Sequence, residues 1–137
     1  MMTRTMMTIA LVTAVLCAAC ASRAPEDPVQ AEARRYGIEI LGVKLVADGD
    51  VVRLNYRVID YDTAKRALKG QARLVPDGGD RPLPVMSTGR LGALQQRPNR
   101  MGRPQFMLFT NAGRVLRAGD RAVLVVGEAR VAGIPVS

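Results

Sequence analysis

Between positions 51 and 58 the chain alternates: Val52, Leu54, Tyr56 and Val58 share one face, while Arg53, Asn55 and Arg57 share the other. A period of two is the pattern of a strand with one buried and one wet side. The apolar, β-rich run 38–46 precedes it, and Ala47-Asp48-Gly49-Asp50 between them carries hairpin turn chemistry. Further strands are expected at 71–75, 83–87, 105–110, 121–127 and 129–136, with turns at 76–80 and 117–120. Asp62 is expected to cap a turn or two of helix through Leu68, stopped by Gly70. In this chain of 137 residues, seven strands without a long helix specify an all-β fold for residues 36–137. The expected form is an antiparallel immunoglobulin-like β-sandwich, with a small β-barrel as the alternative. Val123 to Val126 reads as its central strand, buried on both sides. Of the two phenylalanines, Phe106 and Phe109, regular pleating buries one and leaves the other peripheral.

The first twenty residues follow a different logic. Arg4 gives a positive start, Ile9 to Leu16 an apolar stretch, and Cys17-Ala18-Ala19-Cys20 a small-residue end, the three parts of an export signal. From Met6 to Ala21 the apolar stretch counts 16 residues, short of the roughly 18 to 20 that a spanning helix needs. The run Leu16 to Cys20 resembles a bacterial lipobox, in which a cysteine after two small residues is acylated and becomes the first mature residue. Cys17 stands where such motifs usually carry Leu. As an acceptor, Cys17 itself fits less well because bulky Leu16 precedes it, so cleavage is expected between Ala19 and Cys20, with fatty acylation of Cys20. The alternative is an ordinary signal cut after Ala19 or Ala21. Both cysteines of the chain lie within these four positions and the 117 residues that follow have none, so the exported domain has no disulfide framework. The expected organisation is a signal at 1–19, an acylated tether at 20–35 and the sandwich at 36–137. Two prolines and mixed charges make 21–35 read as flexible coil, with an end-to-end distance of roughly 20 to 23 Å. Ala21 in place of aspartate after the acylated cysteine leans towards the outer membrane, with the domain facing the periplasm.

Composition then limits the chemistry. The chain has no histidine, which removes the Ser-His-Asp and Cys-His nucleophile systems and the usual zinc and haem ligands. Asp48 with Asp50 and Asp60 with Asp62 are paired carboxylates of the kind a glycosidase uses, yet both pairs fall in turns, where Asp bonds the local backbone. Met86, Met101 and Met107 are thioethers able to hold Cu(I), but spread over 22 positions without histidine they read as apolar fillers. No catalytic residue, metal site or cofactor is expected.

The charge is uneven. Arginine outnumbers lysine 17 to 3, and the mature chain from Cys20 carries 19 basic and 12 acidic side chains, a net +7. From Arg81 to Gly119 there are seven arginines and neither acid nor lysine. Within that region 88–104 reads as a strandless loop, longer than compact domains usually keep without a reason. Arg90, Arg97, Arg100 and Arg103 in the loop, with Arg114 and Arg117 after it, are the candidate binding residues for an anion or a partner. Guanidinium offers planar paired donors to phosphate or carboxylate. The competing reading is that these arginines are solvated or pair across the fold with Asp48, Asp50, Asp60, Asp62 or Asp77. The loop lacks the aromatic rings on which single-stranded nucleic acid stacks, so nucleic acid is not an expected partner. Anionic lipid, lipopolysaccharide or a small anion is.

The order Tyr36 to Val43, Leu54 to Asp60, Phe106 to Asn111, then Gly113-Arg114-Val115-Leu116 and Gly119-Asp120 resembles small exported bacterial lipoproteins of unassigned function with an immunoglobulin-like domain. The resemblance covers most of 36–137 and implies no catalytic residue. The expected function is that of a membrane-anchored, non-enzymatic interaction or accessory module of a cell-envelope complex, with an envelope protein as partner. The alternative is a binder of an anionic ligand through the 88–104 loop.

Overall fold

The alternation at 51–58 is realised as β2 (Val51–Val58), which pairs antiparallel with β1 (Ile38–Val46) from Ile38 opposite Val58 to Val46 opposite Val51. The connection is tight because Ala47, Asp48 and Gly49 all take positive φ, and the Asp50 N–H closes it on the Ala47 carbonyl. A computed structural model describes residues 26–137 of the chain. The expected signal, the cleavage site at Ala19 and the acylation site at Cys20 lie outside the described residues.

Beyond the first hairpin come β3 (Ala72–Pro76), β4 (Leu83–Pro84), β5 (Ser87–Thr88), β6 (Gly92–Ala93), β7 (Gln105–Thr110), β8 (Arg121–Val126) and β9 (Ala129–Pro135). Three strands form one antiparallel sheet in the order β1-β2-β7, and four form the second in the order β4-β3-β8-β9; β5 and β6 make a small separate hairpin. Lettered in chain order without β5 and β6, the sheets read A-B-E and C′-C-F-G, an immunoglobulin-like sandwich. Among the described residues only isolated bridges, Val43 with Val136 and Val85 with Phe109, join the two sheets, so they do not close into a barrel. Val52, Leu54, Tyr56, Met107 and Phe109 from the first sheet are buried against Leu74, Leu124, Val126, Val131 and Ile134 of the second. Phe109 is the buried phenylalanine; Phe106 is half-buried under the Arg53 guanidinium, 4.7 Å from its ring centre. Val125, expected to be enclosed, is half-exposed between Arg73 and Arg130 of the flanking strands.

Both open edges of the sandwich are covered, and each cover differs from the sequence expectation. The coil expected at 21–35 is instead helical over α1 (Pro28–Arg35). Asp27 caps it, accepting from the Val29 N–H at 3.1 Å, Pro28 occupies the first turn, and Arg34 and Arg35 end it. Its contacts run along β1 and β9, and Val29 and Ala33 are buried there. Gln30 completes the seal: its carbonyl accepts from the Ile40 N–H and its amide donates to the Ile40 carbonyl, the two bonds a neighbouring strand would make.

At the opposite edge the stretch expected to be strandless, 88–104, is partly built as strand. The expected strand 83–87 breaks after Pro84, and Val85 and Met86 cross to β7, where the Met86 N–H donates to Leu108. After the β5–β6 hairpin the chain returns along β7, with Leu94 accepting from Leu108 and Gln95 opposite Met107. The short α2 (Tyr61–Ala67) is capped by Asp60 rather than Asp62, through bonds from the Thr63 N–H and hydroxyl.

Both sheets, α1 and the second edge cover lie within 26–137, so this segment carries its own core and is expected to fold without what precedes it. It is expected to unfold in urea as one cooperative transition. Leu54 is fully buried, and Leu54→Ala lowers the stability of that transition by about 2–5 kcal/mol.

Candidate functional site

The sandwich has two ends. At one, β2 leads through 59–71 into β3, the loop 97–104 enters β7, and the β8–β9 turn passes Gly127. At the other lie the 47–50 turn and the 111–120 connection. This arrangement divides the six arginines singled out in the sequence. Arg97 and Arg100 sit at the first end with Arg103 exposed just ahead of β7, whereas Arg114 and Arg117 are at the second. Arg114 pairs with Asp50 at 3.2 Å across two connections, and the Arg117 N–H donates to the Asp120 carboxylate. Arg90 is exposed in the turn between β5 and β6. The six therefore do not form one patch. Of the cross-fold pairings with Asp48, Asp50, Asp60, Asp62 or Asp77, only Arg114–Asp50 occurs among the described residues.

At the first end, side chains missed in the sequence join Arg97 and Arg100. Tyr61 and Lys65, four residues apart on α2, share one helical side, and Lys69 follows just beyond the helix end against the same groove. That spacing was the signal available in the sequence. Arg100 lies over the Tyr61 ring, 4.2 Å from its centre, and the Lys65 ammonium approaches the same ring at 5.9 Å. Arg97 donates to the Gly70 carbonyl at 3.0 Å and ties the loop to the 59–71 connection. Tyr61, Lys65, Leu68, Lys69, Arg97 and Pro98 line an open groove of about 360 Å³ with an apolar floor. Lys65, Arg66, Lys69, Arg97, Arg100 and Arg103 make no ion pair among the described residues.

The loop that presents Arg97 and Arg100 is held by amide side chains. Gln95 accepts from the Ala72 N–H and donates to Gly70. Gln96 accepts from the Phe106 N–H. Gln105, itself buried, accepts from Asn99 N–H and donates to the Arg97 carbonyl. Tyr56 reaches from the core to donate its hydroxyl to the Gln96 carbonyl. Burial pushes this phenol up to about 12, against a smaller opposing pull from Arg97.

The acids nearby serve the backbone. Asp60 caps α2, and the Thr63 hydroxyl, then the Thr63 N–H, hold its carboxylate below the usual range. This small contribution to stability is present at neutral pH and is lost as pH falls through that lowered value. Glycine is required where α1 meets this end: Gly37 has φ +73° and a Cβ there would lie 2.4 Å from the Asp60 carbonyl oxygen.

Among family models, curated proteins and solved structures, none matches the chain. The fold defines the class: an all-β, immunoglobulin-like sandwich of two antiparallel sheets.

The Tyr56 contact yields a prediction. Its pKa is raised on folding from about 10 to about 12, so its contribution is complete below pH 10 and is lost as pH rises through 12. Stability measured by urea unfolding therefore falls between those pH values, and Tyr56→Phe removes part of that slope.

Proposed function

We propose that this chain is an exported lipoprotein, acylated at Cys20 and anchored to a bacterial membrane, most consistently the outer membrane. Its sandwich serves as a non-enzymatic interaction or accessory module of a cell-envelope complex. The observation that carries the reading is the placement of both cysteines at the close of an apolar export-type run, ahead of a domain that needs neither. The roles of the acids support the non-enzymatic part: Asp27 and Asp60 cap helices, Asp50 pairs with Arg114, and Asp120 holds the Arg117 N–H. An immunoglobulin-like sandwich leaves clustered loops at each end, the usual place for partner contacts on such a scaffold.

A second reading is favoured by one specific feature. The groove beside Tyr61, rimmed by Lys65, Lys69 and Arg97, offers an anionic ligand cations that make no ion pair among the described residues. In this reading Arg97 and Arg100 act with α2, while Arg114 and Arg117 belong to the far end.

Metabolic labelling with a fatty acid tests the anchor. The chain is expected to take up label and sediment with membranes, and Cys20→Ser to do neither. Equal labelling and sedimentation of the two would contradict it.

A further inference from the structure

We propose that the α2 end of the sandwich docks on the surface of an anionic phospholipid bilayer, with Ile59 and Met101 entering the headgroup layer. The proposal rests on the anion-binding reading above and names its ligand. Two independent features of this end point the same way.

The first is apolar exposure in the wrong place for a soluble tip. Ile59 is 50% and Met101 71% exposed. They belong to neighbouring segments: Arg100 stacks on Tyr61, and a Cβ on Gly102 would lie 4.0 Å from the Val58 carbonyl oxygen. The second is charge. Lys65, Arg66, Lys69, Arg97 and Arg100 lie on and beside those segments, against Asp60, Asp62 and Glu128 of the β8–β9 turn as local acids, and Asp60 is occupied as a cap. Two of the chain's three lysines are here. Exposed apolar side chains on the same end as a cluster of cations match the layered chemistry of a bilayer surface, in which phosphates lie outside the acyl boundary. A free small anion would use the cations and leave Ile59 and Met101 in water.

The test uses the segment 26–137, which has no acyl anchor, and vesicles of phosphatidylcholine alone or mixed with phosphatidylglycerol. Binding is expected only to the mixed vesicles. It weakens as added salt shortens the Debye length from about 10 Å towards 3 Å. Lys65→Gln with Lys69→Gln lowers affinity roughly tenfold or more. The same loss of charge at the far end, Arg114→Gln with Arg117→Gln, leaves affinity within about twofold, because those groups lie more than a screening length from the bilayer. Ile59→Ser with Met101→Ser weakens binding without altering its salt dependence. Equal effects of the two charge-removing pairs, or no binding to mixed vesicles, would overturn the proposal. So would binding abolished by millimolar glycerol phosphate, which would instead identify a small-anion site and leave the underlying anion-binding reading standing.

Discussion

A sandwich of two short sheets must find partners for the backbone groups where its strands stop pairing, since an unpaired buried N–H or carbonyl costs about as much as a lost hydrogen bond. This chain meets the requirement with amide side chains. Gln30, Gln95, Gln96, Asn99, Gln105 and Asn111 each accept a backbone N–H, from Ile40, Ala72, Phe106, Met101, Asn99 and Leu116 respectively. Carboxamide has a peptide's donor and acceptor geometry, so it substitutes for a strand where no strand is available. Asn111 is the most enclosed example. It lies 1% exposed and donates to both Gly49 and Leu116 while accepting from Leu116. It thereby locks the first hairpin turn to the connection before β8.

These clamps make the candidate site an extension of the fold. Gln95 and Gln105 hold the loop that carries Arg97, and Tyr56 anchors the same loop from the core. The guanidinium groups of Arg97 and Arg100 are thus presented from a backbone fixed at several points. A fixed array of cations loses less conformational freedom on meeting an anionic partner than a mobile loop would. The far end uses its arginine differently, with Arg114 neutralised by Asp50.

The strands were legible because their period is enforced by burial on one face. β1, β2, β7 and β8 fall where alternation or continuous β-branched runs place them. The features without a sequence trace depend on distance in space. Residues 28–35 look like tether because only Val29 and Ala33 are apolar and buried there, two positions on one helical side; the cap Asp27-Pro28 was the local sign. The 88–104 stretch looks strandless because its partners are single bridges and glutamine side chains, which leave no periodic trace. Arginines close in sequence were divided between opposite ends, and Lys65 and Lys69, distant in sequence from Arg97, were brought beside it.

Native-state amide hydrogen exchange on the segment 26–137 tests most directly whether amide side chains complete the sheets. The N–H groups of Ile40, Ala72, Phe106 and Leu116, which have side-chain acceptors, are predicted to exchange with protection approaching that of Val52 and Leu54 in β2. Exchange at the rates of open loops, with β2 fully protected, would contradict the account and reduce these contacts to incidental surface bonds.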